Sequence, residues 1–154
     1  MFAMSQYSGD LLLWVIDSPN DINMEGIFSD CPKFNAAGVS TWNTVNVVDL
    51  GRAFNNAVLF NRDLSTWDTG KVTNFKETFY GASAFNQPVN SWNVESGVNF
   101  RNMFRLAIVF NQDLDTWNMG NAEDISDMFR QADMFNGLVG TWDISKVTLM
   151  NGLC

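Results

Sequence analysis

The sequence predicts an α/β repeat solenoid, a fold in which similar short units stack along one axis. Tryptophan recurs with a fixed period of 25 residues, at Trp42, Trp67, Trp92, Trp117 and Trp142. Phenylalanine and small residues recur at fixed distances before each of these tryptophans. A period of this length is typical of solenoids, in which a unit too small to bury its own apolar face packs against its neighbours.

Five further apolar positions recur in each unit and predict a continuous core. A Phe-Asn pair lies seven residues before each Trp, except in the first unit, which has one extra residue. A second Phe, a small residue, and aliphatic or large apolar residues before and after the Trp complete the unit. The columns are Phe28, Phe54, Phe79, Phe104 and Phe129; Cys31, Ala57, Ala82, Ala107 and Ala132; Phe34, Phe60, Phe85, Phe110 and Phe135; Val39, Leu64, Val89, Leu114 and Val139; and Leu50, Phe75, Phe100, Ile125 and Met150.

Each unit divides into two halves with different local signals. In the first half, an Asn or Asp is followed by apolar residues one, four and five places on, which predicts an N-cap and about two helical turns. In the second half, β-type residues run from the Phe-Asn pair to the Trp, and an Asn or Asp follows, which predicts a short strand ended by an Asx-type turn. Strands of successive units then form a parallel sheet along one face. The predicted caps are Asp49, Asn74, Asn99 and Asp124, and the predicted turn residues are Asn43, Asp68, Asn93, Asn118 and Asp143.

The run from Phe60 to Ala82 carries the elements Phe-Asn, Leu-x-x-Trp and Val-Thr-Asn. It resembles the repeat of about 25 residues found in Mycoplasma surface lipoproteins, a domain of unknown function, and is more distantly similar to BspA-like leucine-rich repeats. The resemblance covers about Leu11 to Cys154. It implies a right-handed, leucine-rich-repeat-like solenoid, usually in surface-exposed proteins and sometimes linked to adhesion, and it implies no catalytic residues. The chain departs from the pattern at Gly97, Ala122 and Leu149.

The repeats predict one solenoid domain over residues 1–154. Residues 1–30 form a degenerate N-terminal capping unit, in which Leu11, Trp14 and Phe28 echo the pattern. Residues 31–154 hold the repeats, and the last of them is incomplete. Because solenoids normally need polar caps at both ends, we expect either a fragment of a longer array or a homodimer formed through the C-terminal end.

Charge and hydropathy narrow the classes of partner. The net charge is −8 and the pI is about 4.2, which argues against binding to nucleic acid or anionic membranes. The apolar run from Leu11 to Ile16 is too short to span a membrane and has no basic segment before it. The family resemblance points to the cell surface or a secreted protein. Either an export signal has been removed or the protein is intracellular.

The residue content predicts no enzyme activity and no cofactor. The chain has no His, the commonest general base and metal ligand. Asp63 and Asp113 lie on one strand face like a glycosidase pair, but a regular rod offers no cleft to desolvate them. The glycine-rich calcium repeat and the EF-hand loop are absent, so no metal site is predicted. Cys31 and Cys154 lie about five rungs apart, roughly 24 Å, too far for a disulfide.

The predicted function is that of a non-enzymatic module that binds a protein partner through the strand face. Positions with the same residue type in every unit are expected to form the core. Positions whose residue changes from unit to unit are expected to determine binding specificity. The differing positions are Arg62, Asp63, Ser65, Gln87, Asn90, Gln112, Asp113 and Asp115. Carbohydrate binding along the Trp and Ser/Thr columns is one alternative, and a structural spacer in a longer array is another. The recurring Asn of the Phe-Asn pair is expected to be structural.

Overall fold

The structure is a computed structural model that describes residues 11, 15–16 and 18–154. Strand β1 spans Ile22–Asn23 and strand β2 spans Val47–Asp49, and the two pair in parallel. A 3₁₀ helix spans Ala37–Thr41. It lies in the unit that has one extra residue between its Phe-Asn pair and its Trp. The predicted capping residue Trp14 lies outside the described residues.

The parallel pairing continues beyond β2 as single bridges between units. The bridges join Asp49 to Asn74, Asn74 to Asn99, Asn99 to Asp124, and Asp124 to Leu149. The ladder therefore runs through the column at which the sequence predicts a helix cap. The segment between the Phe-Asn pair and the Trp, where the sequence predicts a strand, carries none of these bridges among the described residues.

Each bridge is followed by a turn segment, a name we use for residues 50–57, 75–82, 100–107 and 125–132. The sequence predicts two helical turns here, but the structure has consecutive turns. Alternate N–H groups donate in two directions. The Phe54 N–H, for example, donates to the Thr78 carbonyl of the next unit at 2.9 Å, whereas the Ala57 N–H donates to the Phe54 carbonyl at 3.0 Å.

The absence of helix from the turn segments has a physical cause in this hydrogen bonding. An α-helix uses its N–H groups along its own chain and needs negative φ throughout. In the turn segments every second N–H leaves for the neighbouring unit, and φ is positive at the third and seventh residues. The predicted cap still accepts a hydrogen bond, since Asp49 Oδ1 lies 2.7 Å from the Gly51 nitrogen. The cap signal therefore predicts where the segment begins but not its conformation.

The core consists of the predicted apolar columns, which are buried in the units before the last one. The first Phe column stacks with ring centroids 5.5 Å apart between Phe54 and Phe79 and 5.6 Å apart between Phe79 and Phe104. Within one unit, Phe79 and Phe85 stack at 4.0 Å. Burial of large aromatic rings is a major stabilising term, so this stack holds the units together.

The two ends of the described chain differ from the middle. Leu11 and Phe28 are fully buried, and the Phe28 N–H donates to the Ala53 carbonyl at 2.9 Å, so residues 22–30 stack on the following unit. In the last unit Leu149 and Met150 are each 48% exposed.

Both cysteines are free, Cys31 buried and Cys154 exposed, which confirms that they are not bridged. Among the described residues no helix is long and apolar enough to cross a membrane.

Candidate binding face

The Trp column lies inside the molecule rather than on its surface. Trp42, Trp67, Trp92 and Trp117 are 4%, 3%, 2% and 2% exposed. The ring centroids of Trp67 and Trp92 are 6.4 Å apart, and the rings are parallel within 2°. The Nε1–H of Trp92 donates to the Leu64 carbonyl of the preceding unit at 3.0 Å. At these four positions no Trp ring face is accessible to a sugar ring, so the structure does not favour the alternative of a Trp platform for carbohydrate.

The Ser/Thr column before the Trp is also committed to contacts between units. The Thr66 hydroxyl donates to the Ser40 carbonyl at 2.8 Å, and the Ser91 hydroxyl donates to the Ser65 carbonyl at 3.0 Å. Thr116 does the same to Asn90 at 2.6 Å. Because each hydroxyl proton is donated to backbone, the column is not a free array of donors for a ligand.

The Asn column forms a ladder along the stack. Asn61 Oδ1 accepts the Asn86 N–H at 3.0 Å, and Asn86 Oδ1 accepts the Asn111 N–H at 2.9 Å. The same bond joins Asn35 to Asn61 and Asn111 to Asn136. The prediction that these amides are structural is confirmed.

The eight residues predicted from unit-to-unit variation, which we call the binding face, occupy matching positions in consecutive units. The long side chains among them are tied down. Arg62 Nε donates to the Asn35 carbonyl at 2.7 Å, and Gln87 Nε2 donates to Asn61 Oδ1 at 3.0 Å. Gln112 Nε2 likewise lies 2.9 Å from Asn86 Oδ1. All three are half-buried, so they brace neighbouring units.

The short side chains of the binding face are more available. Asp63, Asn90 and Asp113 are exposed, whereas Ser65 and Asp115 are half-buried. Asp63 Oδ1 accepts the Ser65 N–H at 2.8 Å, and Asp113 Oδ1 accepts the Leu138 N–H at 2.9 Å. Each bond fixes one oxygen of the carboxylate. The other oxygen of each acid has no partner within the described residues.

The Asx-type turns after the Trp column are present as predicted. The Gly70 N–H donates to Asp68 Oδ1 at 2.9 Å, and the Ser145 N–H donates to Asp143 Oδ1 at 3.0 Å. The Ser145 backbone and hydroxyl groups, together with the charge of Lys146, lower the pKa of Asp143.

The eight residues predicted from variation between units include none from the turn segments. The outer side chains of these segments also differ from one unit to the next. Arg52 Nε lies 3.6 Å from Glu77 Oε2, and Arg130 Nη1 lies 3.1 Å from Asp127 Oδ1. A comparison of equivalent positions over the predicted helical turns would have revealed them. In the described part of the chain, no cluster of His, Cys, Asp and Glu could hold a metal ion.

Comparison with known proteins places the chain in a family. The model of a family described as Mycoplasma protein of unknown function, DUF285, matches residues 1–105 and again residues 65–154. The chain belongs to this family. The two DUF285 matches overlap over residues 65–105, the part that contains Trp67 and Trp92. No curated protein and no solved structure matches this DUF285 chain.

Proposed function

We propose that this DUF285 chain is a non-enzymatic binding module of the protein-interaction or adhesion type, built on a right-handed solenoid related to BspA-like leucine-rich repeats. The observation that carries the proposal is that the repeated and the varying side chains of each unit have different environments. Side chains repeated from unit to unit are buried or hydrogen-bonded to the next unit. Asp63 and Asp113 share one repeat position, where the other units have Pro88 and Leu138, and Asn90 lies at a position where its neighbours have Ser65 and Asp115. Asp63, Asn90 and Asp113 are exposed.

The ligand class is a protein. Exposed carboxylates at regularly repeated positions suit a partner that supplies several donors at once. A small-molecule site normally needs a concave, largely apolar cavity. In the units that carry the binding face, the Phe and Trp stacks fill the interior. The surface location implied by the family resemblance fits an adhesion role, with the partner on a host or neighbouring cell.

The test is a binding screen on an array of purified extracellular-matrix and cell-surface proteins together with glycans. The decisive variant combines Asp63→Asn, Asp113→Asn and Asp115→Asn. At positions 63 and 113 the amide keeps an oxygen that accepts the existing hydrogen bond, and at all three positions the charge is lost. We expect at least about a tenfold loss of affinity for the bound protein, because charge-assisted hydrogen bonds are lost.

The matched control removes the same charge elsewhere, through Glu95→Gln, Glu123→Gln and Asp133→Asn, all exposed and outside the binding face. We expect this control to bind as the parent does. Equal weakening of the two variants would show a net-charge effect and count against the binding face. Binding to glycans alone would favour the carbohydrate alternative.

A second candidate is self-association through the C-terminal end, as in a spacer of a longer array. It is favoured by a cavity of about 210 Å³ lined by Phe129, Phe135 and Cys154, and by the exposed Met150. Sedimentation of the parent and of Met150→Lys tests it. Association that the lysine abolishes supports this candidate, and a concentration-independent monomer excludes it.

A further inference from the structure

We infer that the outer side of the turn segments holds a carboxylate-binding site centred on Arg105, with Lys76 and Arg101 beside it. The site takes an acidic segment of a partner protein. It lies on a different part of each unit from the binding face and does not depend on it.

Most of the positive charges that have no close acceptor among the described residues lie on two consecutive turn segments. All nine Lys and Arg residues lie in the described part. Arg52 and Arg130 pair with acids, and side-chain or backbone oxygens of Asn residues accept hydrogen bonds from three more, Arg62, Lys71 and Lys146. Of the other four, Lys76, Arg101 and Arg105 lie on turn segments of two consecutive units, while Lys33 lies apart from them.

Arg105 is the least satisfied of these cations. Its Nε is buried and has no acceptor among the described residues. Its Nη1 reaches Asn102 Oδ1 only at 3.5 Å, the outer limit of a hydrogen bond. Its Cζ lies 5.8 Å from the Tyr80 ring centroid, a cation–π contact that holds the guanidinium but satisfies no N–H. A buried donor without an acceptor is costly. Because the Arg105 side chain as a whole is only half-buried, a carboxylate that draws the guanidinium outward supplies the acceptor that Nε lacks.

In the next unit, the guanidinium at the position equivalent to Arg105 is paired with a carboxylate of its own unit. Arg130 is the equivalent of Arg105, and Asp127 is the equivalent of Asn102, one unit of 25 residues apart. Asp127 and Arg130 form an ion pair at 3.1 Å. Asn102 and Asp127 share the same backbone conformation, with φ of 56° and 54°. The unit containing Arg105 therefore has the cation but lacks its carboxylate.

The chemistry of the site favours a carboxylate on a short acidic segment. The Nε and Nη groups of a guanidinium form a fork that matches the two oxygens of a carboxylate. A densely charged polyanion would be repelled by a chain whose net charge is −8. A segment with only two or three acidic residues meets Arg105 and its two neighbours at a much smaller long-range penalty, because the repulsion scales with the charge of the ligand.

The experiment titrates the labelled protein with a capped peptide containing three consecutive Glu residues and follows the Arg Nε–H signals by NMR. The Arg105 signal is assigned from its loss in Arg105→Gln. We expect it to move downfield with saturation, because Nε gains an acceptor. The same peptide with Gln in place of Glu should leave it unchanged.

Two variants decide the assignment. Asn102→Asp gives Arg105 the carboxylate that Arg130 already has, and it should weaken peptide binding about tenfold while the fold is kept. Arg130→Gln, at the paired cation, should bind as the parent does. The inference is overturned if millimolar peptide leaves the Arg105 signal unmoved, or if Arg130→Gln weakens binding as much as Asn102→Asp. A shift caused by a sulfated hexasaccharide but not by the peptide also overturns it.

Discussion

Single residues of the turn segments adopt a backbone conformation that most amino acids avoid. Positive φ costs an L-residue roughly 1–2 kcal/mol. In the turn segments seven non-glycine residues have it, among them Arg52, Glu77 and Leu106. The hydrogen bonds to the neighbouring unit and the stacked rings beneath offset this cost. At the seventh residue of the segment 75–82 this cost is absent, because Gly81, with φ of 65°, has no Cβ.

Gly81→Ala should lower the free energy of unfolding by about 1–2 kcal/mol, because alanine is strained at this φ. The added Cβ would also lie only 2.4 Å from Asn56 Oδ1. Urea denaturation measures the change. Gly140→Ala is the control, since its Cβ would meet nothing within 4 Å and its φ is not positive. Equal destabilisation by both substitutions would contradict this explanation.

The buried Trp column gives a second prediction at this scale. Trp142 is half-buried, and Trp14 lies outside the described residues. In the variant Trp14→Phe with Trp142→Phe, only the four buried tryptophans remain. Acrylamide should quench their fluorescence several-fold less than in the same protein unfolded in guanidinium. Quenching close to that of the unfolded chain would show that the rings are accessible and would restore the sugar-platform alternative.

At the scale of the elements, side chains supply much of the bonding between successive units. In the segment from the Phe-Asn pair to the Trp, the Asn amide, the Ser/Thr hydroxyl and the Trp Nε1–H each bond to the neighbouring unit. Trp117 Nε1, for example, donates to the Val89 carbonyl at 2.9 Å. These bonds take the place of the backbone strand pairing that the sequence predicts there.

Asn86 tests this bonding, because its Oδ1 accepts from both the Asn111 N–H and Gln112 Nε2. Asn86→Ala should lower the free energy of unfolding by about 1 kcal/mol, since both donors lose an acceptor. Asn86→Asp keeps the acceptor oxygen and should stay much closer to the parent. Thermal and urea denaturation measure both variants. If the aspartate variant were as unstable as the alanine variant, the ladder would not be the source of the stability.

The sequence predicts the core columns and the Asx turns because these depend on the residue type at one repeated position. The buried Phe79 and Ala82 follow from the period alone, whereas the period leaves open whether Trp92 is buried, as it is in the structure. The helical turns are not predictable in the same way, because a cap with apolar residues four apart fits both a helix and stacked turns. The conformation adopted depends on whether N–H groups donate to the neighbouring unit. This is a tertiary contact, so a local sequence pattern does not predict it.

Variation between units locates the eight residues that we call the binding face. It does not predict which of their side chains are free to contact a partner. Variation between units finds Arg62, Gln87 and Asp113, and the structure does place them on consecutive units. It also shows that the Arg62 and Gln87 side chains are held by Asn residues of the preceding unit. The unsatisfied Arg105 becomes visible only when the acceptors around each cation are known.

At the scale of the whole molecule, the units make the same kinds of contact with their neighbours, but their exposed side chains differ. The Asp49, Asn74, Asn99 and Asp124 bridges repeat at 25 residues, and so do the Phe and Trp stacks. In such an assembly each unit contacts only its neighbours, so stability is close to a sum over units and their interfaces. Removing one complete unit should then leave the remaining contacts intact.

The most direct measurement is the unfolding of a chain from which residues 75–99 have been deleted, so that Asn74 is followed by Phe100. Every column stays in register, and we predict a folded protein with a cooperative thermal transition at a somewhat lower temperature. Deleting only residues 75–87 removes fewer residues but breaks the register, and we predict no cooperative transition. If the full-unit deletion fails to fold, or the half-unit deletion folds equally well, the stacking of equivalent units is contradicted.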